Sequence, residues 1–100
     1  MSNKHEIRSA MHEMMNDVMN RGYDLLLHKP EHLQELDNLL TQASESLTLQ
    51  LNELEQINSS ASEMEVNAQY EMLSKRAQER NLELLAILQR IEKNPSGAAQ

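Results

Sequence analysis

Apolar residues return every three or four positions along most of this chain, the spacing that keeps one face of an α-helix apolar. Ile7, Met11, Met14, Val18 and Leu25 make a first row. Leu33, Leu36, Leu40, Ala43, Leu47, Leu54 and Ile57 make a second, a seven-residue repeat broken only at Gln50, with Leu49 and Leu51 beside it. The third row, Val66, Tyr70, Leu73, Ala77, Leu84, Ile87 and Ile91, keeps the same repeat with Arg80 at its one polar position. Leu85 and Leu88 widen that row near its end, which should be the more deeply buried part. The rows predict an all-α fold with long amphipathic helices over about 3–28, 30–58 and 62–93 in a single domain spanning 1–93. Residues 94–100 carry no apolar anchor and read as a flexible tail.

The punctuation between the rows supports these limits. Ser2 or Asn3 can cap the first helix, because their side chains accept from the free amides of its first turn. Gly22 costs about 1 kcal/mol inside a helix and could instead be a left-handed stop. A continuous helix is the preferred reading, since a stop would leave Leu25, Leu26 and Leu27 in a loop. Pro30 disfavours helical geometry at Lys29 and suits the first turn of a new helix. Ser60 with Glu63, and Ser62 with Glu65, both spell a capping box, in which serine and glutamate satisfy each other's free amides. A turn is expected there, although Ala61 and Met64 would also continue one unbroken helix over 31–93.

Short connections between long helices place them antiparallel, so the expected architecture is an up-down-up bundle or a coiled-coil hairpin. In that register Arg21 and Arg80 both come opposite the turn of the second helix that holds Asp37, and a salt bridge to Asp37 is expected. The plainer alternative has both arginines reaching to water from the edge of the core.

Composition agrees with helices: sixteen leucines and seven methionines, no Phe or Trp, and few β-branched residues. With no cysteine, disulfides and thiolate metal sites are excluded, and the chain suits a reducing, cytoplasmic compartment. Its start, with Lys4, Glu6 and Arg8, does not read as a signal peptide, and its longest apolar run, residues 84–88, is too short to span a membrane. The net charge of −7 is unevenly placed: residues 31–60 hold Glu31, Glu35, Asp37, Glu45, Glu53 and Glu55 with no Lys or Arg, whereas the flanking thirds nearly cancel. That sign argues against direct binding of nucleic acid, which rewards clustered cations, and for a basic protein partner or simple solubility.

Little here points to catalysis. His28 and His32 have the spacing of two metal ligands on one helix face, but Pro30 lies between them and no third ligand is evident. The residues three before His5, His12, His28 and His32 are Ser2, Ser9, Leu25 and Lys29, so the Glu-x-x-His pattern of di-iron bundles is missing. His12-Glu13 would need a second histidine at position 16 to resemble a zinc-protease helix, and Asn16 stands there. Two glycines, Gly22 and Gly97, cannot build a strained nucleophile turn or a phosphate loop. No enzyme, cofactor or metal is expected.

Binding surfaces are better represented. In the cluster of Met11, Met14, Met15 and Met19, Met14 falls on the predicted core stripe while Met15 and Met19 flank it. Flexible thioethers suit a surface that accepts another helix, though methionine also simply fills cores. Met11, Met15 and Met19, with Glu45, Glu53 and Glu55 of the acidic helix, are the candidate partner-binding residues. Residues 21–26, with Gly22, Tyr23 and Asp24, resemble the Gly-x-aromatic-Asp turn of flagellar export chaperones, small acidic helical proteins that hold secretion substrates. The likeness covers six residues, has Tyr23 where tryptophan is usual, and falls short of membership. The expected function is non-enzymatic binding of a protein, basic or presenting an amphipathic helix, as an adaptor, secretion chaperone or inhibitor. The alternatives are a self-assembling coiled-coil protein whose repeats mate between identical chains and, more remotely, an inhibitor whose spaced carboxylates mimic nucleic acid.

Overall fold

The computed structural model describes residues 4–57 and 61–93. Most of them lie in three helices, α1 (Lys4–His28), α2 (Leu33–Gln56) and α3 (Glu63–Lys93), and a 3-10 turn at Pro30–His32 joins the first two. Polar contacts fix their order. Lys4 and Arg8 at the start of α1 meet Glu55 at the end of α2, and Lys29, just past α1, reaches the end of α3. Hence α1 and α3 run in one direction and α2 against them, an all-α up-down-up bundle 57 Å long and 16 Å across its Cα atoms. Among the described residues there is no strand.

Each boundary has a local cause. Lys29 leaves helical geometry at φ −134° and ψ 65°, as a residue before proline should, while its amide still bonds the carbonyl of Leu25. Pro30 then opens the 3-10 turn, which leads directly into α2. That helix stops at Ile57, which is extended at φ −66° and ψ 122°, so 31–93 is not one helix. On the far side, Ser62 Oγ accepts from the Glu65 amide at 3.2 Å and its hydroxyl donates to the Glu65 carboxylate at 2.9 Å. The Ser62 carbonyl takes the first helical bond, from Val66, which makes Ser62 the cap of α3. The other box, from Ser60, and the caps at Ser2 and Asn3 lie outside the described residues, as does the 94–100 segment. Gly22 does not stop α1: the helix continues through it, and the turn suggested by residues 21–26 is absent. Its lack of a side chain serves packing instead, for a Cβ there would stand 2.9 Å from Leu40 Cδ2 of α2.

The buried stripes follow the period of a straight helix and depart from the strict repeats read in the sequence. On α1 the buried residues are Ile7, Met11, Met15, Val18, Gly22 and Leu25, five steps over eighteen residues, or 3.6 per step. A 4-3-4 reading from Ile7 reaches Met14 at the third position, where 3.6 residues per turn selects Met15. Met15 is accordingly fully buried and Met14 half-buried, the reverse of the expectation. The same drift puts Leu39 inside and Leu40 at the edge of α2, and Leu88 inside and Ile87 at the edge of α3. Leu33, expected in the core, is exposed where α2 begins.

Two apolar clusters result. The larger, at the Pro30 end, joins Met15, Val18 and Leu25 with Leu36, Leu39 and Ala43 and with Leu84, Leu88 and Ile91. The smaller, at the Glu55 end, joins Ile7 and Met11 with Leu54, Leu73 and Ala77. Leu47 packs against both. Between them the chain places its polar interruptions: Gln50 lies between Ala43 and Leu54 on α2, and Arg80 and Asn81 lie between Ala77 and Leu84 on α3. Gln50 is only 6% exposed, and its Oε1, like Asn81 Oδ1, is buried without a hydrogen-bond partner among the described residues.

Candidate protein-binding surface

Arg80 shows how this waist is organised. Its guanidinium donates to Ser46 Oγ at 3.1 Å, to Gln42 Oε1 at 3.2 Å and to Glu83 at 3.0 Å. The expected bridge to Asp37 is therefore not formed, because Arg80 lies opposite Gln42 and Ser46, five and nine residues further along α2. Arg21 instead approaches Glu92 of α3 at 3.7 Å, and among the described residues Asp37 enters no ion pair.

The six nominated binding residues are not gathered into one surface. Met11 and Met15 are buried in the two clusters and Met19 packs half-buried against the larger, so α1 spends its methionines chiefly on the core. Their flexible side chains fill the interior of a fold without phenylalanine. Met14, with Ile7 and Met11, still lines a shallow groove against Ser74 and Ala77 of α3. Glu53 pairs with Arg76 at 3.3 Å, and Glu55 pairs with both Lys4 and Arg8. The hydrogen bond from Arg8, then that from Lys4, holds the Glu55 carboxyl below its ordinary range. Glu35 is bonded to His32 Nδ1 at 2.8 Å. The acidic helix is thus partly neutralised by its neighbours, which leaves Glu45 and Asp37 as its exposed carboxylates outside any ion pair among the described residues.

What the periodicity of the core concealed is a second row on α3. Met64, Ala68, Met72, Lys75, Glu79, Leu82 and Ala86 all point to solvent, away from the face of Leu73, Ala77 and Leu84. Met64 is 82% exposed, Met72 63% and Leu82 65%, high values for large apolar side chains. From Ala68 onward the steps are 4-3-4-3-4, the signature of a helix face that mates with another helix. Each of these residues was visible in the sequence, but the eye follows the stronger core row. A scan of α3 at other phases of the seven-residue repeat would have found the second. Tyr23 and Leu27, four residues apart on α1, and Leu33 at the start of α2 are also exposed.

Chemistry of other kinds has less to build on. His28 Nδ1 lies 2.8 Å from the Asp24 carbonyl of its own helix, and His32 Nδ1 faces Glu35. Among the described residues no group of three or more His, Asp or Glu side chains is placed to hold a metal ion, and no helix is long and apolar enough to cross a membrane. The chain matches no known family model, no curated protein and no solved structure.

Proposed function

We propose that this protein is a non-enzymatic helical binding module of the cytoplasm that engages another amphipathic helix along the outer face of α3, as an adaptor, chaperone-like holder or inhibitor does. The observation that supports it is the second row itself. A helix packed on one side ordinarily turns polar residues to water, whereas α3 keeps Met64, Ala68, Met72, Leu82 and Ala86 there at helix-mating intervals. Only one polar pair, Lys75 and Glu79, interrupts the strip, so it offers apolar contact along its length with a charge signal at its centre.

Site-specific photocrosslinking in cells of the native source tests this. A photoreactive residue in place of Met72 should join the chain to one defined polypeptide, identified by mass spectrometry, and Leu82→Glu should abolish the product. The same probe at Gln34, on the exposed side of α2, should give none. A Met72 probe that forms no protein adduct, or one indifferent to Leu82→Glu, would remove the reading.

A further inference from the structure

From Ala68 to Ala86 the outer row of α3 has an internal symmetry that generic binding does not require; Met64, whose mate would be Arg90, lies outside it. Met72 and Leu82, Lys75 and Glu79, and Ala68 and Ala86 are three pairs, each equally distant from position 77. Glu65 and Gln89 form a fourth. When two copies of a helix pack antiparallel with a two-fold axis beside residue 77, each residue faces the other member of its own pair. Met72 then meets Leu82 of the second copy, Ala68 meets Ala86, and Lys75 meets Glu79, every contact occurring twice. Large packs on large, small on small, and cation on anion. A parallel pairing would set Lys75 against Lys75 and Glu79 against Glu79.

From this palindrome, we infer that the occupant of the outer face of α3 is a second copy of this chain, packed antiparallel in that register. This rests on the outer face of α3 being the binding surface, and makes its occupant the chain itself instead of a separate protein. Three further facts favour it. Lys75 and Glu79 are both exposed and neither enters an ion pair among the described residues, so their charges are available to a second molecule. Six glutamates on α3 are set against five Lys and Arg, so the helix carries only −1 of the chain's −7 and self-approach along it is little opposed. Arg76, which flanks the axis and would approach its own copy, is already neutralised by Glu53 at 3.3 Å.

The strip from Glu65 to Gln89 is about 36 Å long and one helix, about 10 Å, wide. Its footprint, on the order of 360 Å² per copy, is well below the ~800 Å² per partner of a standard interface. The dimer should therefore be weak and set by concentration, dissociating in the micromolar range or above.

Charge exchange tests both the occupant and the register. Light scattering on the purified chain should show the mass rising from one copy towards two with concentration. Lys75→Glu alone, or Glu79→Lys alone, should weaken this association at least tenfold, because each sets like charges together twice. An equimolar mixture of the two single variants should associate again as a hetero-pair, and the double variant should recover with itself. The chain has no cysteine, so introduced ones are unique. Met72→Cys mixed with Leu82→Cys should give a disulfide-linked hetero-dimer under mild oxidation, and neither alone should cross-link. These positions are exposed, so the fold is spared, as unchanged helicity would verify. One-copy mass at every concentration, or mixed variants that associate no better than either alone, would overturn the second copy as occupant. Each cysteine variant linking to itself would overturn the antiparallel register. Neither result touches the Met72 crosslink in cells, which fails or succeeds on its own.

Discussion

Gln50 occupies a position where every neighbouring layer of α2 supplies a hydrophobic side chain, and it is buried there with an oxygen that accepts no hydrogen bond from the described residues. An unsatisfied buried polar atom costs about 1–3 kcal/mol. Leucine at this site would remove that penalty and add apolar contact between the two clusters. Gln50→Leu should accordingly raise the midpoint of urea unfolding, by about 1–2 kcal/mol of stability, and unchanged or lower stability would mean the amide is satisfied in solution. A residue that weakens the fold yet sits at a core position resembles the lone polar residues that fix register in helix assemblies. The leucine variant should then be more stable and less particular about how its helices align. Gly22 shows the opposite economy. It gives up helix propensity, about 1 kcal/mol, so that Leu40 can approach where a Cβ would stand 2.9 Å away.

Among the elements, the connection between α1 and α2 is the best anchored. Lys29 Nζ donates to the carbonyls of Ile91 at 3.0 Å and Glu92 at 2.7 Å. It thus supplies both a cation and hydrogen bonds to the negative end of α3, where carbonyls lack helical partners. Lys29→Met should cost about 1 kcal/mol, seen as faster amide exchange over the last turn of α3, with Lys29→Arg retaining most of the protection. An equal loss with arginine would mean that the compact ammonium group on these two carbonyls matters, and not the positive charge as such. Helix number, order and ends were legible in the sequence because Pro30 and Ser62 are local signals whose effect depends on few distant contacts. The inward phase was less so. Met14 and Met15, Leu39 and Leu40, or Ile87 and Leu88 differ by one residue, and only the accumulated 3.6-residue turn decides between them. Pairings across helices were least accessible: the register that gives Arg80 to Ser46 and Gln42 depends on how three stripes interlock. The outer row of α3 was written plainly, but its exposure could be judged only once the core had claimed the other face.

For the molecule as a whole, the two ends of the rod are closed by different means. At the Pro30 end the lysine binds backbone carbonyls, which do not titrate in the accessible range. At the other, Lys4 and Arg8 converge on one exposed carboxylate, Glu55, whose proton affinity they lower. A depressed folded-state value means that the contribution of Glu55 is complete above the ordinary glutamate range and disappears as pH falls through that lowered value. Acid should therefore loosen the start of α1 from the end of α2, and with it the smaller cluster, against which Tyr70 packs. Ring resonances of Tyr70 should shift at a pH where overall helicity is still intact, and Glu55→Gln should remove that step. Simultaneous loss of both signals would show that the ends do not act separately. The bundle is thus a clothes-peg in miniature: a permanent hinge where the chain turns at Pro30, and jaws closed by the smaller apolar cluster, whose grip one exposed carboxylate eases as it takes up a proton.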